Sequence, residues 1–394
     1  MVNNPFQRLL RPTWVEISLS ALTRNFARVR RLAGDRKVMA VIKADAYGHG
    51  AVPVARCLAA AGADCFGVAT VEEAVELRDA EVRQPIVLLG GLYMSDPADL
   101  IRYRLTPSVS STARLDTYAN CARRYNQPVE FHLKVDTGLG RLGMPPGRLS
   151  SFIERYRELE QNAALKDGTS GLRLTGLMTH LASAEDLIST QTDEQMALFN
   201  SALAELHRLG VNPEWVHVSN SAALLARSDF PENLIRVGAL LYGYCVPLVS
   251  PRGRHVADAA SFEPILTFKS RVVYLKDVPS GTPLGYGAAF HTRRPSRIAT
   301  VPVGYADGLS RALSNRGRAI IGGHCAPIVG HISMDLTLLD VTDIPGVSVG
   351  DEVILIGKAD HCSITALEIA QQLDTVPYEV LCSIGKRVPR IYVE

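Results

Sequence analysis

From about Val38 to about Gly243 two kinds of pattern alternate along the chain. Short apolar, β-branched runs read as buried strands: Val38–Lys43, Cys65–Thr70, Pro85–Gly91, Thr106–Ser111, Val129–Thr137, Arg173–His180, Trp215–Asn220 and Leu234–Leu240. Between them lie helical patterns, among them Val71–Ala80, Ala113–Tyr125 and Gln195–Gly210. Near-continuous apolar strands alternating with amphipathic helices call for a parallel sheet covered by helices. Eight such strands over this length is the count of a (β/α)8 TIM-type barrel. An open doubly wound sheet competes with it, but the G-x-G-x-x-G at Gly138–Gly143 runs into Pro145 and Pro146 instead of opening a helix, so it is a poor Rossmann fingerprint.

After about Ser250 the texture changes. Strand-like runs such as "FKSRVVYLKDVPSG", "SRIATVPVGYADG" and "GDEVILIG" are punctuated by Gly, Pro and Asp, which predicts a mainly-β domain. One helix interrupts it, "SITALEIAQQLD", with Ser363 as the expected N-cap. The expected division is a barrel over 1–248 and a β-domain over 249–394, with the extreme N-terminus free to pack on the second.

Composition narrows the class. Hydrophobic residues make up 47% of the 394 and charged ones 21%, so a packed core is expected. The net charge of +2, without a basic block, disfavours nucleic acid and anionic membrane surfaces as partners. No run approaches a membrane span and the N-terminus lacks the apolar core of a secretory signal, so a cytoplasmic setting is expected. Seven scattered cysteines without a C-x-x-C pair fit reduced thiols better than disulfides or zinc.

In such a barrel the chemistry gathers at the C-terminal strand ends. Those ends supply Lys43; Lys134 and Asp136, with Arg141 beyond; His180; Asn220 and Ser221; and Arg236 with Gly238. Any one of them suits a polar rim. Together they make a cationic face that wants an anion such as a phosphate or a carboxylate. Lys43 ends the apolar "AVIK": it either snorkels to water or is desolvated into a nucleophile or base able to form a Schiff base. Lys134 either pairs with Asp136 or meets a ligand over the glycine-rich loop that follows. Ser221 either caps the next helix or helps to hold an anion. The Gly238 and Ala239 amides lie at the eighth strand, where barrels often bind phosphate.

The segments "AVIKADAYGHG", "FHLKVDTGLGRLGM", "GLMTHLASAED", "HVSNSAALL", "IRVGALLYG", "GYGAAF", "VGYADGL", "GHISMDLTLLDV" and "PYEVLCSIGKRVPRIY" follow in an order that resembles the alanine racemase family nearly end to end. The resemblance implies a pyridoxal 5'-phosphate (PLP) enzyme with the cofactor on Lys43. Its phosphate would meet Tyr47, Ser221, Tyr378 and the Gly238 and Ala239 amides. Arg236 would face the pyridine nitrogen, with His180 beside it. Lys134 would be carboxylated on Nζ, and that carbamate would orient Arg141 toward the substrate carboxylate. The family's head-to-tail homodimer would bring Tyr286, Tyr305, Met334 and Asp335 from the partner. The Met334 amide would meet the carboxylate and Tyr305 would line the entrance. Two bases on opposite faces, Lys43 for D-alanine and Tyr286 for L-alanine, would suffice for racemisation. The phenols of Tyr286 and Tyr378 would leave room for little more than a methyl group. The role implied is D-alanine supply for peptidoglycan, or alanine catabolism.

Three positions depart from the family pattern: Ser333 where cysteine is frequent, His331 in place of arginine, and Ala289 in place of threonine. None carries an implied catalytic role. An amino-acid decarboxylase of the same architecture would be expected to carry a glutamate at Arg236. A broad-specificity racemase would be expected to carry an export signal, and a non-catalytic PLP-binding protein would resemble the barrel alone. A metal hydrolase would need histidines at paired spacing, which this chain lacks.

Overall fold

The computed structural model describes residues 11–227, 229–245, 247–250, 253–255 and 262–394. It forms two compact units. One comprises Leu22–Ala46 and Ala51–Glu263; the other comprises the segment ending at Ala21, Tyr47–Gly50 and Pro264–Glu394.

After β1 (Thr13–Ser18), which belongs to the second unit, eight parallel strands build the first: β2 (Lys37–Val41), β3 (Cys65–Val68), β4 (Ile86–Leu88), β5 (Leu105–Val109), β6 (Val129–Lys134), β7 (Leu172–Met178), β8 (Trp215–His217) and β9 (Leu234–Val237). They pair in the order β8-β7-β6-β5-β4-β3-β2-β9. The β8 and β9 edges meet through Asn233 N–H to Val216 O at 3.1 Å and Arg236 N–H to Ser219 O at 3.1 Å, so the sheet comes round into a nearly closed barrel. All eight runs expected from the apolar pattern are strands, each trimmed by two or three residues at the C-terminal end. The interior is packed rather than open: Met39, Cys65, Val87 and Leu234 from β2, β3, β4 and β9 form one buried cluster with Leu89 and Trp215 against it. Among the described residues no helix is long and apolar enough to cross a membrane, and all seven cysteines are free thiols.

The second unit is mainly β. Its larger sheet runs His324–Pro327, Arg318–Ile321, Glu352–Ala359, Leu266–Arg271, β1 and Arg390–Val393, with Cys362–Ile364 paired to Glu352–Ala359. β1 joins antiparallel to Leu266–Arg271 and parallel to Arg390–Val393, which brings the first and last described strands into one sheet. A three-stranded sheet is formed by Tyr274–Val278, Ser296–Val301 and Thr337–Asp340.

The expected helix spans Ala366–Leu373, and its cap differs from the expectation. Thr365 accepts the Glu368 N–H, while Ser363 lies in a strand opposite Lys358. The ladder with Glu352–Ala359 claims Ser363 before the helix can use it. A second short helix, Pro377–Cys382, escapes the sequence pattern; proline in its first turn makes it a natural start.

Candidate active site

The backbone after Lys43 is unusual. β2 keeps its partner as far as Ile42, whose N–H reaches Gly67 O at 2.9 Å. Ala44, Asp45, Ala46 and Tyr47 then all take positive φ, 51 to 56°, and Gly48 follows at 83°. This is a turn of left-handed helix, closed by Ala46 N–H to Ile42 O at 2.9 Å. Each non-glycine residue there costs about 1–2 kcal/mol against the right-handed form. Partners hold the turn in place. Ala44 N–H donates to Glu73 Oε1 at 2.6 Å, and Asp45 Oδ1 accepts the Ala51 N–H at 2.7 Å. Lys43 therefore leaves the barrel at the head of a strained, braced turn, half-buried.

Arg236, on β9, is the hub of the barrel mouth and is only 3% exposed. Its Nη1 donates to His217 O at 2.7 Å and to His217 Nδ1 at 3.1 Å. Its Nη2 serves Thr179 O and Val218 O at 2.8 Å and His180 Nδ1 at 3.1 Å. The Nε–H alone meets no acceptor among the described residues.

These bonds fix the tautomers nearby. A guanidinium only donates, so the Nδ1 atoms of His217 and His180 accept, and the proton of each ring sits on Nε2. The Nε2–H of His217 then donates to His132 Nδ1 at 2.9 Å. Burial first, then the Arg236 charge, pushes His132 and His180 down to about 3. Burial, then His132, holds His217 well below the ordinary imidazole value. All three rings are neutral. A Cβ on Gly176 would come within 2.4 Å of the His132 ring, so glycine on β7 makes room for it. Arg236 itself is lowered to about 10 by burial and remains a cation.

The other cations crowd the same mouth. Lys134, at the end of β6 and 5% exposed, is lowered to about 8, first by burial and then by Arg236 and Arg141; Lys43 adds a smaller push. The same four cations act on His180. The loop carrying Arg141 is shaped by Asp136, whose Oδ1 accepts Gly138 N–H at 3.0 Å and Gly140 N–H at 3.1 Å. Asp136 thus serves the loop backbone.

Ser221 does not cap the helix that follows. Asn220 does, accepting the Ala223 N–H at 2.9 Å. The freed Ser221 Oγ instead meets the N–H groups of Gly238 at 3.2 Å and Leu240 at 3.4 Å, which gathers hydroxyl and backbone donors past β9.

The remaining residues lie in the second unit. Tyr47 and Tyr378 pack edge to face, ring centroids 5.6 Å apart, and burial, then Cys382, pushes the Tyr47 phenol up to about 12. Tyr47 is therefore a neutral hydrogen-bond donor. Tyr286 stands 74% exposed on a loop with Gly285, Gly287 and Ala288 all at positive φ. Tyr305, Met334 and Asp335 come together because Tyr305 N–H reaches Ser333 O at 3.0 Å and Ala306 N–H reaches Met334 O at 3.1 Å. Gly304 permits this approach, since a Cβ there would lie 2.3 Å from Ser333 O. Arg387 holds Asp335 at 2.5 Å and the fully buried Asp307 at 2.7 Å.

Sequence reasoning missed Glu73, His132 and His217. A histidine in the middle of the apolar runs "VEFHLK" and "WVHVSN" is the signal that could have found two of them.

A barrel with lysines and arginines gathered at its C-terminal mouth, joined to a mainly-β unit, defines an enzyme of the barrel class with a cationic site suited to anionic ligands. Comparison with known proteins gives the class its family. The alanine racemase N-terminal domain model matches residues 17–246 and the alanine racemase C-terminal domain model matches residues 265–392. The alanine racemase of Halothermothrix orenii is 42% identical over 387 residues, covering 98% of both chains. The crystal structure of alanine racemase from D-cycloserine producing Streptomyces lavendulae superposes with a TM-score of 0.89 at 32% identity, over 98% of this chain and 97% of that one. Alanine racemase from Bartonella henselae, solved with covalently bound pyridoxal phosphate, gives 0.83 at 31% identity, over 97% and 99%. This chain belongs to the alanine racemase family and is an amino-acid racemase.

Proposed function

We propose that the chain interconverts L- and D-alanine with PLP held on Lys43, using Lys43 and Tyr286 as opposed bases in a homodimer. The observation that carries the reading is Arg236: a buried guanidinium with every N–H except Nε–H engaged among the described residues, set among Lys43, Lys134 and Arg141. That donor set fits PLP. A ring nitrogen would accept from Nε–H, and a phosphate would suit the Ser221 hydroxyl with the Gly238 and Ala239 amides. Lys43, close enough to raise the electrostatic cost of protonating Lys134, would supply the covalent link.

When bound, PLP supplies the electron sink that makes the alanine α-proton removable. The chain's own groups do the rest. Arg236 stays a cation backed by neutral imidazoles, so it would hydrogen-bond a ring nitrogen without giving up a proton. Such a contact would leave the ring a weaker electron sink than a fully protonated one, which would favour return of the proton to the α-carbon over transamination. Lys134, with a depressed basicity, holds a sizeable neutral fraction near neutral pH, the form that attacks CO2. Its nitrogen would bond to the carbon and release a proton, and the resulting carbamate would sit among cations and orient Arg141 on the substrate carboxylate. Lys43 would take or give the D-side proton and Tyr286 the L-side one.

Roles for Tyr47, Tyr378, Tyr305, Met334 and Asp335 rest on the family resemblance alone, as do a partner-supplied Tyr286 and the methyl-sized substrate space. The same holds for a cytoplasmic setting and a role in peptidoglycan supply or alanine catabolism. The test is chromatographic: PLP-loaded protein given either pure alanine enantiomer should run to the racemate, and retention of the starting enantiomer would refute the proposal.

A further inference from the structure

Glu73 sits in the first turn of the helix Val71–Asp79, and its side chain does more than cap it. Oε2 accepts Ala69 N–H at 2.7 Å and Thr70 N–H at 3.3 Å, completing a capping box in which Thr70 Oγ1 accepts Glu73 N–H at 3.4 Å. Oε1 reaches across to Ala44 N–H at 2.6 Å. Ala44 follows Lys43 at the end of β2, and Ala69 follows the end of β3. The last backbone link between these neighbours is Ile42 N–H to Gly67 O. Beyond it the chains diverge, one into the left-handed turn and the other into a right-handed helix. One carboxylate bridges the gap, with Oε1 serving the segment after β2 and Oε2 the segment after β3.

We propose that Glu73 is a positioning residue for the racemisation: by clamping the Ala44 and Ala69 amides to one carboxylate it locks the left-handed turn and fixes where Lys43 leaves the barrel. The chemistry is specific to a carboxylate. Both oxygens accept, so glutamine would turn an NH2 toward one of the amides, and aspartate is a methylene too short to reach both. The inference rests on Lys43 being the PLP-bearing base, but the clamp can be judged without that reading.

The test compares Glu73→Gln and Glu73→Asp with Thr70→Ala, which removes the cap but leaves the clamp, and with the exposed neighbour Glu72→Gln. Three readouts are taken on the full chain: amide hydrogen exchange at residues 43–47, the rate at which added PLP develops its lysine-linked visible band, and kcat with KM for both alanine enantiomers. Glu73→Gln is expected to speed Ala44 exchange about tenfold, the effect of losing one hydrogen bond to a charged group. It should slow PLP capture by a similar factor and lower kcat in both directions with KM little changed. Glu73→Asp should fall between, and decides the matter if the glutamine variant does not fold. Thr70→Ala and Glu72→Gln should match the parent. Parent-like exchange and capture in both Glu73 variants, or a Thr70→Ala variant that reproduces their effects, would overturn the clamp. A parent protein that develops no lysine-linked band while Glu73→Gln still loosens Ala44 would keep the clamp and sink the PLP reading.

Discussion

At the scale of single residues, Arg236 illustrates how a buried charge is directed. A guanidinium has five N–H groups, and on Arg236 backbone carbonyls and two imidazoles take all but Nε–H. The arrangement depends on His217 being neutral and accepting through Nδ1. His217→Phe would leave an Arg236 N–H and the His132 Nδ1 without partners inside the protein. Each such loss costs about 1–3 kcal/mol, so denaturant unfolding should show destabilisation of about 3 kcal/mol with a fall in activity. Tyr286→Phe should slow α-hydrogen exchange from L-alanine by 10²-fold or more, the weight of a general base, and slow exchange from D-alanine less. Deuterium incorporation measured separately for each enantiomer reads this out. Lys43, Lys134, His180 and Arg236 stand out in the sequence at strand ends, with Arg141 in the loop beyond the fifth. His132 and His217 show only as histidines inside apolar runs, and the Arg236 relay they form is hidden because a strand pattern does not say which partner a residue meets.

At the scale of elements, the apolar periodicity reveals all eight barrel strands, because burial on both faces leaves continuous β-branched runs. It is blind to the turn at 44–47. "ADAY" contains no glycine or asparagine, so four successive positive φ values are not announced locally; the turn is held by contacts that include Glu73, 29 residues on from Ala44. A β-branched side chain tolerates that region worst, and Ala46 is fully buried. Ala46→Val should therefore cost about 2 kcal/mol or more through strain and overpacking, seen as a lowered unfolding midpoint. The helix start at Ala366 shows the complementary failure. Two hydroxyls, Ser363 and Thr365, compete as caps in the sequence, and the neighbouring strand decides between them. Thr365→Ala should cost about 1 kcal/mol and Ser363→Ala a few tenths at most, by the same denaturant measurement.

At the scale of the whole molecule, the neutral imidazoles make stability depend on pH. His132 and His180 take up protons only near about 3 in the folded chain, and His217 lies well below its ordinary value. Unfolded histidine binds protons below about 6.5, so between 6.5 and 3 the unfolded state holds more of them. The stabilisation is fully present above pH 6.5 and is lost as pH falls, at up to about 1.4 kcal/mol per pH unit for each ring. Urea titrations from pH 7 to 4 should show that decline, and His132→Asn should make it shallower. Tyr286, Tyr305 and Met334 stand exposed on the β unit. If they complete a partner's site as proposed, sedimentation should report a dimer, and charge substitutions among them should weaken it.

The most direct test of the account is isotopic. PLP-loaded protein in deuterated water, given L- or D-alanine in turn, should exchange the α-hydrogen of both and interconvert them. Lys43→Ala should lose the visible lysine-linked band and the exchange together. A parent protein that binds PLP but leaves both α-hydrogens in place, or a Lys43→Ala variant that keeps exchanging at the parent rate, would contradict it.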